Sequence, residues 1–326
     1  MTQDNFATRT GNAVRNDRND AFDQIEVTFP SCGETLKGIL LVPQGGDGPF
    51  PTIVMAPGMS GVKEGSIMQY AAFFASGGFA VLAYDNIYFG ESTGLPRQEV
   101  DPVLQRRGYR DAITFVSLRD EVDESRIGIF GTSYAGGHVL EVSAHDRRVK
   151  CVVSQIPAIS GQEAFRRAIR PDLRPGVLAA QDEDRKQRFL GKPPAMIKVV
   201  SDNPADICAM AGMPSFEYFS EQGRIAPTWQ NEMTLRSLDL YRAVDNAKFV
   251  PWISPTPLLM IVALNDELAP PDLSLSAFAT ALEPKKLVLL PGNHFDPYGP
   301  QFALTSNEAR DWFTRHLVVG GSVGLN

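Results

Sequence analysis

The sequence predicts an α/β protein built on a mostly parallel sheet of eight strands, with helices on both faces and a helical insertion late in the chain. Three observations predict it. Short apolar runs alternate with helix-length amphipathic stretches from residue 52 to residue 155; the rhythm lapses up to Pro257; it then resumes for two more strands and two helices. Strands alternating with helices at this spacing require right-handed crossovers, which give a parallel sheet covered on both sides.

Taken in order, Gln24–Phe29 alternates and Leu36–Val42 is nearly continuous apolar, with Gly33 and Glu34 suiting a turn between them. The chain therefore opens with an antiparallel pair. Thr52–Ala56 is a short buried strand, Ser66–Ser76 a helix and Phe79–Tyr84 another apolar strand. A helix from about Gln105 to Leu118 leads to the strand Ile127–Phe130, a helix over Tyr134–Ala144 and the strand Val149–Gln155. Residues 158–255 are helical and aromatic, rich in Pro and Gly, without a clear strand. A structureless loop of that length is improbable in a compact domain, so an inserted helical cap is expected. Leu258–Leu264, a helix over Asp272–Leu282, the strand Lys286–Leu290 and an amphipathic helix around Asn307–Leu317 complete the pattern. The domain reading is a core over 21–157 and 256–320, interrupted by the cap and preceded by a polar, flexible segment 1–20.

A net charge of −7 argues against a nucleic-acid partner, because phosphate binding needs a basic surface that displaces counterions. Residues 1–20 hold no apolar run that would serve a signal peptide, and nowhere is there an uninterrupted apolar stretch of roughly 18 residues that would span a bilayer. A soluble, cytoplasmic protein acting on a small molecule, away from membranes, is the expectation; monomer and homo-oligomer both remain open. Cys32, Cys151 and Cys208 lack zinc-ligand spacing and are too few for a disulfide framework. They are read as reduced thiols, Cys151 in the core and Cys32 in an exposed turn. With no ligand cluster and no dinucleotide or phosphate-loop signature, neither a metal nor an organic cofactor is expected.

The run Ile127-Gly128-Ile129-Phe130-Gly131-Thr132-Ser133-Tyr134-Ala135-Gly136-Gly137 sets a serine at a strand-to-helix junction. Small residues on either side permit a sharp elbow that projects the hydroxyl above the sheet, with a helix N-terminus pointing at it. A serine nucleophile needs a base, and the base needs an orienting acid. The strand Leu258–Leu264 runs into Asn265-Asp266-Glu267, and Lys286–Leu290 runs into Pro291-Gly292-Asn293-His294. Both lie beyond the carboxyl ends of parallel strands, where catalytic groups gather. Ser133, Asp266 and His294 thus form a candidate catalytic triad in the order serine, acid, base. Asp296 and Glu267 remain alternative acids, although a loop aspartate before a helix also serves as a cap. His138, His145 and His316 fall on helices and are read as packed or surface residues.

A tetrahedral oxyanion needs at least two preorganised donors. The backbone N–H of Tyr134, directly after the nucleophile, is one candidate. The N–H of Met59, in the small-residue loop Ala56-Pro57-Gly58-Met59-Ser60-Gly61, is the other, unless those glycines only make a tight turn.

These residues, together with Gly61-Val62-Lys63-Glu64, Gly78 to Asp85, Gly90-Glu91-Ser92, Pro96-Arg97 and Asp146-Arg147-Arg148-Val149-Lys150, resemble the α/β-hydrolase superfamily. Within it they are similar to the dienelactone-hydrolase-related and X-Pro-peptidase-related group, which includes polyketide transferases and thiohydrolases. The resemblance covers roughly residues 24–155 and 258–317. It departs at Ala135, where a glycine is usual; at Ala56-Pro57-Gly58, where many relatives have His-Gly; and at Asn86-Ile87-Tyr88-Phe89-Gly90, where an arginine is frequent. Tyr88 either faces the pocket or packs.

The resemblance implies that the segment between the sixth and seventh strands lies over the active site. It holds Phe165, Phe189, Phe216, Tyr218, Phe219, Trp229 and Tyr241. Phe165, Phe219 and Trp229 are taken as substrate-binding candidates for an apolar or aromatic acyl group; alternatively the rings only pack the cap onto the core. The run Phe165-Arg166-Arg167-Ala168-Ile169-Arg170 with Arg174 either meets an anionic substrate or partner or forms a solvated helix face. The function expected is a serine hydrolase that cleaves an ester, thioester or lactone through an acyl-enzyme. An acyltransferase and a carbon–carbon bond hydrolase use the same triad, and a non-catalytic binding protein on this fold would lack a triad member.

Overall fold

Period-two apolar runs near the start of the chain pair as anticipated. Strands β1 (Phe22–Ser31) and β2 (Glu34–Pro43) are antiparallel, in register from Phe22 opposite Pro43 to Ser31 opposite Glu34. The turn sits one residue earlier than expected, on Cys32 and Gly33, whose φ values of 53° and 84° suit a two-residue hairpin between twisted strands. The computed structural model describes residues 21–203 and 206–319, so the expected N-terminal segment 1–20 lies outside the described residues.

The remaining sheet strands are β3 (Phe50–Met55), β4 (Ala80–Tyr84), β5 (Val122–Thr132), β6 (Val149–Gln155), β9 (Leu258–Ala263) and β10 (Lys285–Leu290). β7 (Met196–Ile197) and β8 (Met233–Thr234) form a separate antiparallel pair. The eight-stranded sheet runs β1-β2-β4-β3-β5-β6-β9-β10, with every pair from β4 to β10 parallel.

The central strands are buried on both faces, so their apolar runs are continuous, yet alternate residues serve different cores. Leu82 and Tyr84 of β4 join α2 (Pro102–Ser117) and α3 (Tyr134–His145) on one face. Val81 and Ala83 meet α1 (Ser66–Ser76) and α9 (Phe302–Phe313) on the other. α8 (Pro271–Ala279) completes the first layer. α2 starts where Asp101 accepts hydrogen bonds from the amides of Val103 and Leu104, with Pro102 in the first turn. α9 begins several residues before the expected Asn307, because Phe302 packs on Tyr70 and Phe73 at the start of its inward face.

Between β6 and β9 the chain leaves the sheet for α4 (Gly161–Ala168), α5 (Arg174–Phe189), α6 (Met213–Ile225) and α7 (Leu235–Arg242). A third apolar cluster, including Phe89, Tyr134, Val199, Phe219 and Met233, joins this segment to the core. Met55, Thr132, Ala263 and Leu290 end strands that point the same way, so the loops that follow them converge at one edge of the sheet.

Candidate active site

Ser133 follows β5 directly and precedes α3 with φ 58° and ψ −122°, a conformation that a non-glycine residue holds only when its surroundings enforce it. They do so through the backbone. The Ser133 amide donates to Gln155 O at 2.9 Å, and its carbonyl accepts from Ala158 N at 3.0 Å. Gly131 is required because a Cβ there would stand 2.2 Å from Ala135 O, and at Gly136 one would stand 2.6 Å from Gln155 O. Ala135 is buried without conflict, so in this chain the close approach of helix to strand is made by Gly136 and Gly137 rather than by position 135.

His294 Nε2 lies 2.8 Å from Ser133 Oγ, and His294 Nδ1 lies 2.6 Å from Asp266 Oδ2. Asp266 and His294 are both buried. The other carboxylate oxygen of Asp266 accepts from the amides of Leu268 and Ala269 at 2.9 and 2.7 Å, which fixes its rotamer and leaves Oδ2 for the imidazole. The competing acids are placed elsewhere. Asp296 Oδ2 accepts from Asn293 N at 2.8 Å and fills the space beside Gly292 (φ 110°), bracing the turn that carries His294. Glu267 is exposed at the rim of the site.

The Tyr134 amide opens α3 and so has no intrahelical acceptor. Gly58 lies against the nucleophile: a Cβ there would be 3.3 Å from Ser133 Cβ, which brings the Met59 peptide alongside. The loop carrying Met59 is held from below by Lys63, whose ammonium is buried between Asp85 (2.9 Å), Glu64 (2.5 Å) and Glu91 (2.5 Å). Burial opposes that charge, but Asp85, Glu64 and Glu91 outweigh it and raise the Lys63 pKa above its ordinary value. Asp85 also accepts from the amides of Lys63 (2.7 Å) and Glu91 (3.0 Å), and Asn86 Nδ2 donates to Pro57 O at 3.3 Å. Glu64, Asp85 and Glu91 are the one group of carboxylates among the described residues with metal-like spacing, and their shared partner is the lysine.

Two cavities meet at Met59, Ser133, Met210 and His294. The larger, about 160 Å³, lies under α4 and α7 and is lined by Tyr134, Ala164, Phe165, Ile169, Leu238 and Leu268, among others. The smaller, about 50 Å³, lies under α6 and includes Thr132, Tyr218, Phe219, Gln222, Trp229 and Tyr298 in its wall.

A model of the alpha/beta hydrolase fold family matches residues 51–299. The chain belongs to the α/β-hydrolase family. It is 32% identical over 269 residues to a thiohydrolase of Eupenicillium brefeldianum, covering 81% of this chain and 84% of that one. It is 28% identical to the polyketide transferase claH of Penicillium crustosum, covering 81% and 87% of the two chains. Among solved structures, the alpha/beta hydrolase GrgF from Penicillium sp. sh18 is similar at 26% identity and a TM-score of 0.78, over 90% of this chain and 99% of that one. This chain is thus an enzyme whose relatives include a thiohydrolase and a polyketide transferase. Among its described residues, no helix is long and apolar enough to cross a membrane.

Of the substrate-binding candidates in this hydrolase, Phe165 lines the larger cavity and Phe219 and Trp229 the smaller one. Tyr88 lines neither; it holds φ 75° with its ring against Gly94, where a Cβ would come within 2.6 Å of the ring. The basic run is taken up locally. Arg167 pairs with both oxygens of Asp272 at 2.7 and 2.8 Å, Arg170 pairs with Asp172 at 2.7 Å, and Arg174 Nε donates to Ile169 O at 2.9 Å. Sequence reasoning missed the role of Lys63. A lysine between small residues and a glutamate was the only signal, and its partners Asp85 and Glu91 come from a different loop.

Proposed function

We propose that this enzyme hydrolyses a thioester or ester of an apolar carboxylic acid through an acyl-enzyme on Ser133. The observation that carries the reading is the continuous hydrogen-bonded chain Ser133–His294–Asp266 opening onto the apolar cavity beneath α4. His294 takes the Ser133 proton as Oγ attacks the carbonyl, and the amides of Tyr134 and Met59 receive the developing oxyanion. The same imidazole, now an imidazolium oriented by Asp266, gives that proton to the departing thiol or alcohol. A water then repeats the sequence on the acyl-enzyme and releases the acid.

The inclusion of thioesters rests on the relatives named thiohydrolases, and the apolar acyl group on the Ala, Ile, Leu and Phe side chains around the cavity. Matched thioesters and oxyesters of one apolar acid, followed by product mass, test the reading. Release of free acid from both, with loss of nearly all turnover in Ser133→Ala, is expected. Full activity in that variant, or cleavage of neither substrate class, contradicts it. Transfer to an organic acceptor is the second reading, favoured by the relatives named polyketide transferases.

A further inference from the structure

Ser133 and His294 stand on loops 161 positions apart in the chain, and two hydrogen bonds join those loops directly among the described residues. One is the Ser133–His294 bond at 2.8 Å. The other, at 2.7 Å, joins Thr132 Oγ1, directly before the nucleophile, to Tyr298 Oη on the loop after the histidine. The two do not last equally through a reaction cycle, and the inference drawn from this rests on the reading of Ser133 as an acylated nucleophile. Asp266 accepts from His294 Nδ1–H, so in the free enzyme Nε2 accepts from the Ser133 hydroxyl. Once Oγ carries an acyl group it has no proton to donate, and that tie is lost. The imidazole keeps its bond to Asp266, but Asp266 sits on a third loop, after β9. The Thr132–Tyr298 pair takes no part in the bond changes and survives acylation.

Both hydroxyls are themselves held. Thr132 is buried, and its Oγ1 also accepts from Gln155 Nε2 at 3.0 Å. The backbone carbonyl of the same Gln155 accepts from Ser133 N at 2.9 Å, so one residue ties down both Thr132 and the nucleophile. Tyr70 Oη donates to Pro297 O at 2.7 Å and lies 3.2 Å from Gln155 Nε2, which gives a second, indirect link from the elbow to the histidine loop. The Tyr298 ring stands 5.2 Å from that of Tyr218 in α6, which also stacks on Phe295 at 4.5 Å. Burial pushes the Tyr298 pKa well above its ordinary value, so the phenol stays protonated.

We propose that the Thr132–Tyr298 hydroxyl pair is a brace that holds His294 in place on the acyl-enzyme, and that it acts chiefly on deacylation. In that step the water oxygen bonds to the acyl carbon while its proton passes to His294 Nε2. The carbon–Oγ bond then breaks, the proton moves to Ser133 Oγ, and the acid is released. Misplacing a reacting group by about 1 Å costs up to about 100-fold in rate. During acylation the Ser133–His294 bond supplies part of that constraint; during deacylation the brace is the direct tie that remains between the two loops. Thr132 and Tyr298 are thus positioning residues, acting through Ser133 and His294.

The test separates the two half-reactions. Decay of the acyl adduct on Ser133, formed from an aryl ester of an apolar acid and followed by acid quench and intact mass, reads deacylation, whereas kcat/KM reads the steps up to acylation. Because the decay is first order in adduct, a reduced fraction of folded enzyme does not alter it. Tyr298→Phe keeps the ring and removes the hydroxyl; it should lengthen the adduct lifetime about tenfold, the scale of one neutral hydrogen bond, and leave kcat/KM within about twofold of wild type. Thr132→Val should do the same, and the double variant should add nothing, because both changes remove one contact. Thr132→Ser, which keeps a hydroxyl, should restore the wild-type lifetime, and the Thr132 pair serves if Tyr298→Phe does not fold. An unchanged lifetime in Tyr298→Phe, a fall in kcat/KM as large as the gain in lifetime, or additive effects in the double variant overturns the assignment. If no substrate gives an acyl adduct on Ser133 of the wild type, the failure belongs to the underlying nucleophile reading.

Discussion

Methionine at position 63 keeps most of the apolar stem of the lysine and deletes its ammonium, which leaves the fully buried Asp85 carboxylate without its cation. Two donors would remain to it, the amides of residues 63 and 91. Removing one partner of a buried ion pair costs about 3–5 kcal/mol, and the surviving amides put the expected loss for Lys63→Met near the lower end, about 3 kcal/mol. Urea denaturation at pH 7, followed by tryptophan fluorescence, reads it. The penalty comes from the uncompensated carboxylate, so adding Asp85→Asn to Lys63→Met should recover at least half of the loss. Lys63 also anchors the loop that presents the Met59 amide, so kcat in the single variant should fall by about 10–100-fold, as expected for a misplaced catalytic contact. A loss below about 1 kcal/mol, as an exposed pair would give, refutes the reasoning. A double variant no more stable than the single one refutes it as well.

Burial holds the His138 pKa well below its ordinary value, with Arg106 adding repulsion, so the folded protein keeps this imidazole neutral. Its contribution is complete above the unfolded pKa of about 6.5 and is lost as pH falls toward the folded value, by up to about 1.4 kcal/mol per pH unit. His138→Asn should flatten the decline in urea midpoint between pH 7 and pH 5, and an unchanged slope would assign the acid sensitivity to other groups. Gly131→Ala would drive a methyl group into Ala135 O, so it should cost about 1–3 kcal/mol or more and abolish most turnover by shifting Ser133. Ala135→Gly should cost about 1 kcal/mol of helix stability and keep the elbow working, as thermal melts and steady-state rates would report.

The parts of the fold that sequence made legible are those where a local signal and tertiary burial agree. α1 runs from Ser66 to Ser76 as expected because Gly65 and the Gly77-Gly78 pair bracket its apolar face. β6 keeps its expected bounds because its apolar residues are buried on both faces. β5 is longer than the apolar run Ile127–Phe130 because Phe50 pairs with Val122 across the polar Asp123–Arg126 stretch, a contact with no trace in local periodicity. β7 and β8 are too short for any alternation to register. At the site, Ser133, Asp266 and His294 were legible because each falls within four residues of the carboxyl end of an apolar strand. Tyr88 was not, because its ring direction is set by a positive φ and by contact with Gly94. The arginines after Phe165 look in sequence like an uncompensated charge run, yet Asp272, Asp172 and backbone carbonyls take them up. The Lys63 cluster stayed hidden because two of its partners, Asp85 and Glu91, are distant in the chain.

The central claim is that Ser133 is the nucleophile and that His294 activates it. Treating the full-length enzyme with a fluorophosphonate and mapping the adduct tests this most directly, because the reagent needs an activated serine and no knowledge of the substrate. One adduct is expected, on Ser133, absent from Ser133→Ala and slowed by orders of magnitude in His294→Ala, with both variants melting near the wild-type temperature. An adduct on another residue, or equal labelling of the folded Ser133→Ala variant, would contradict it.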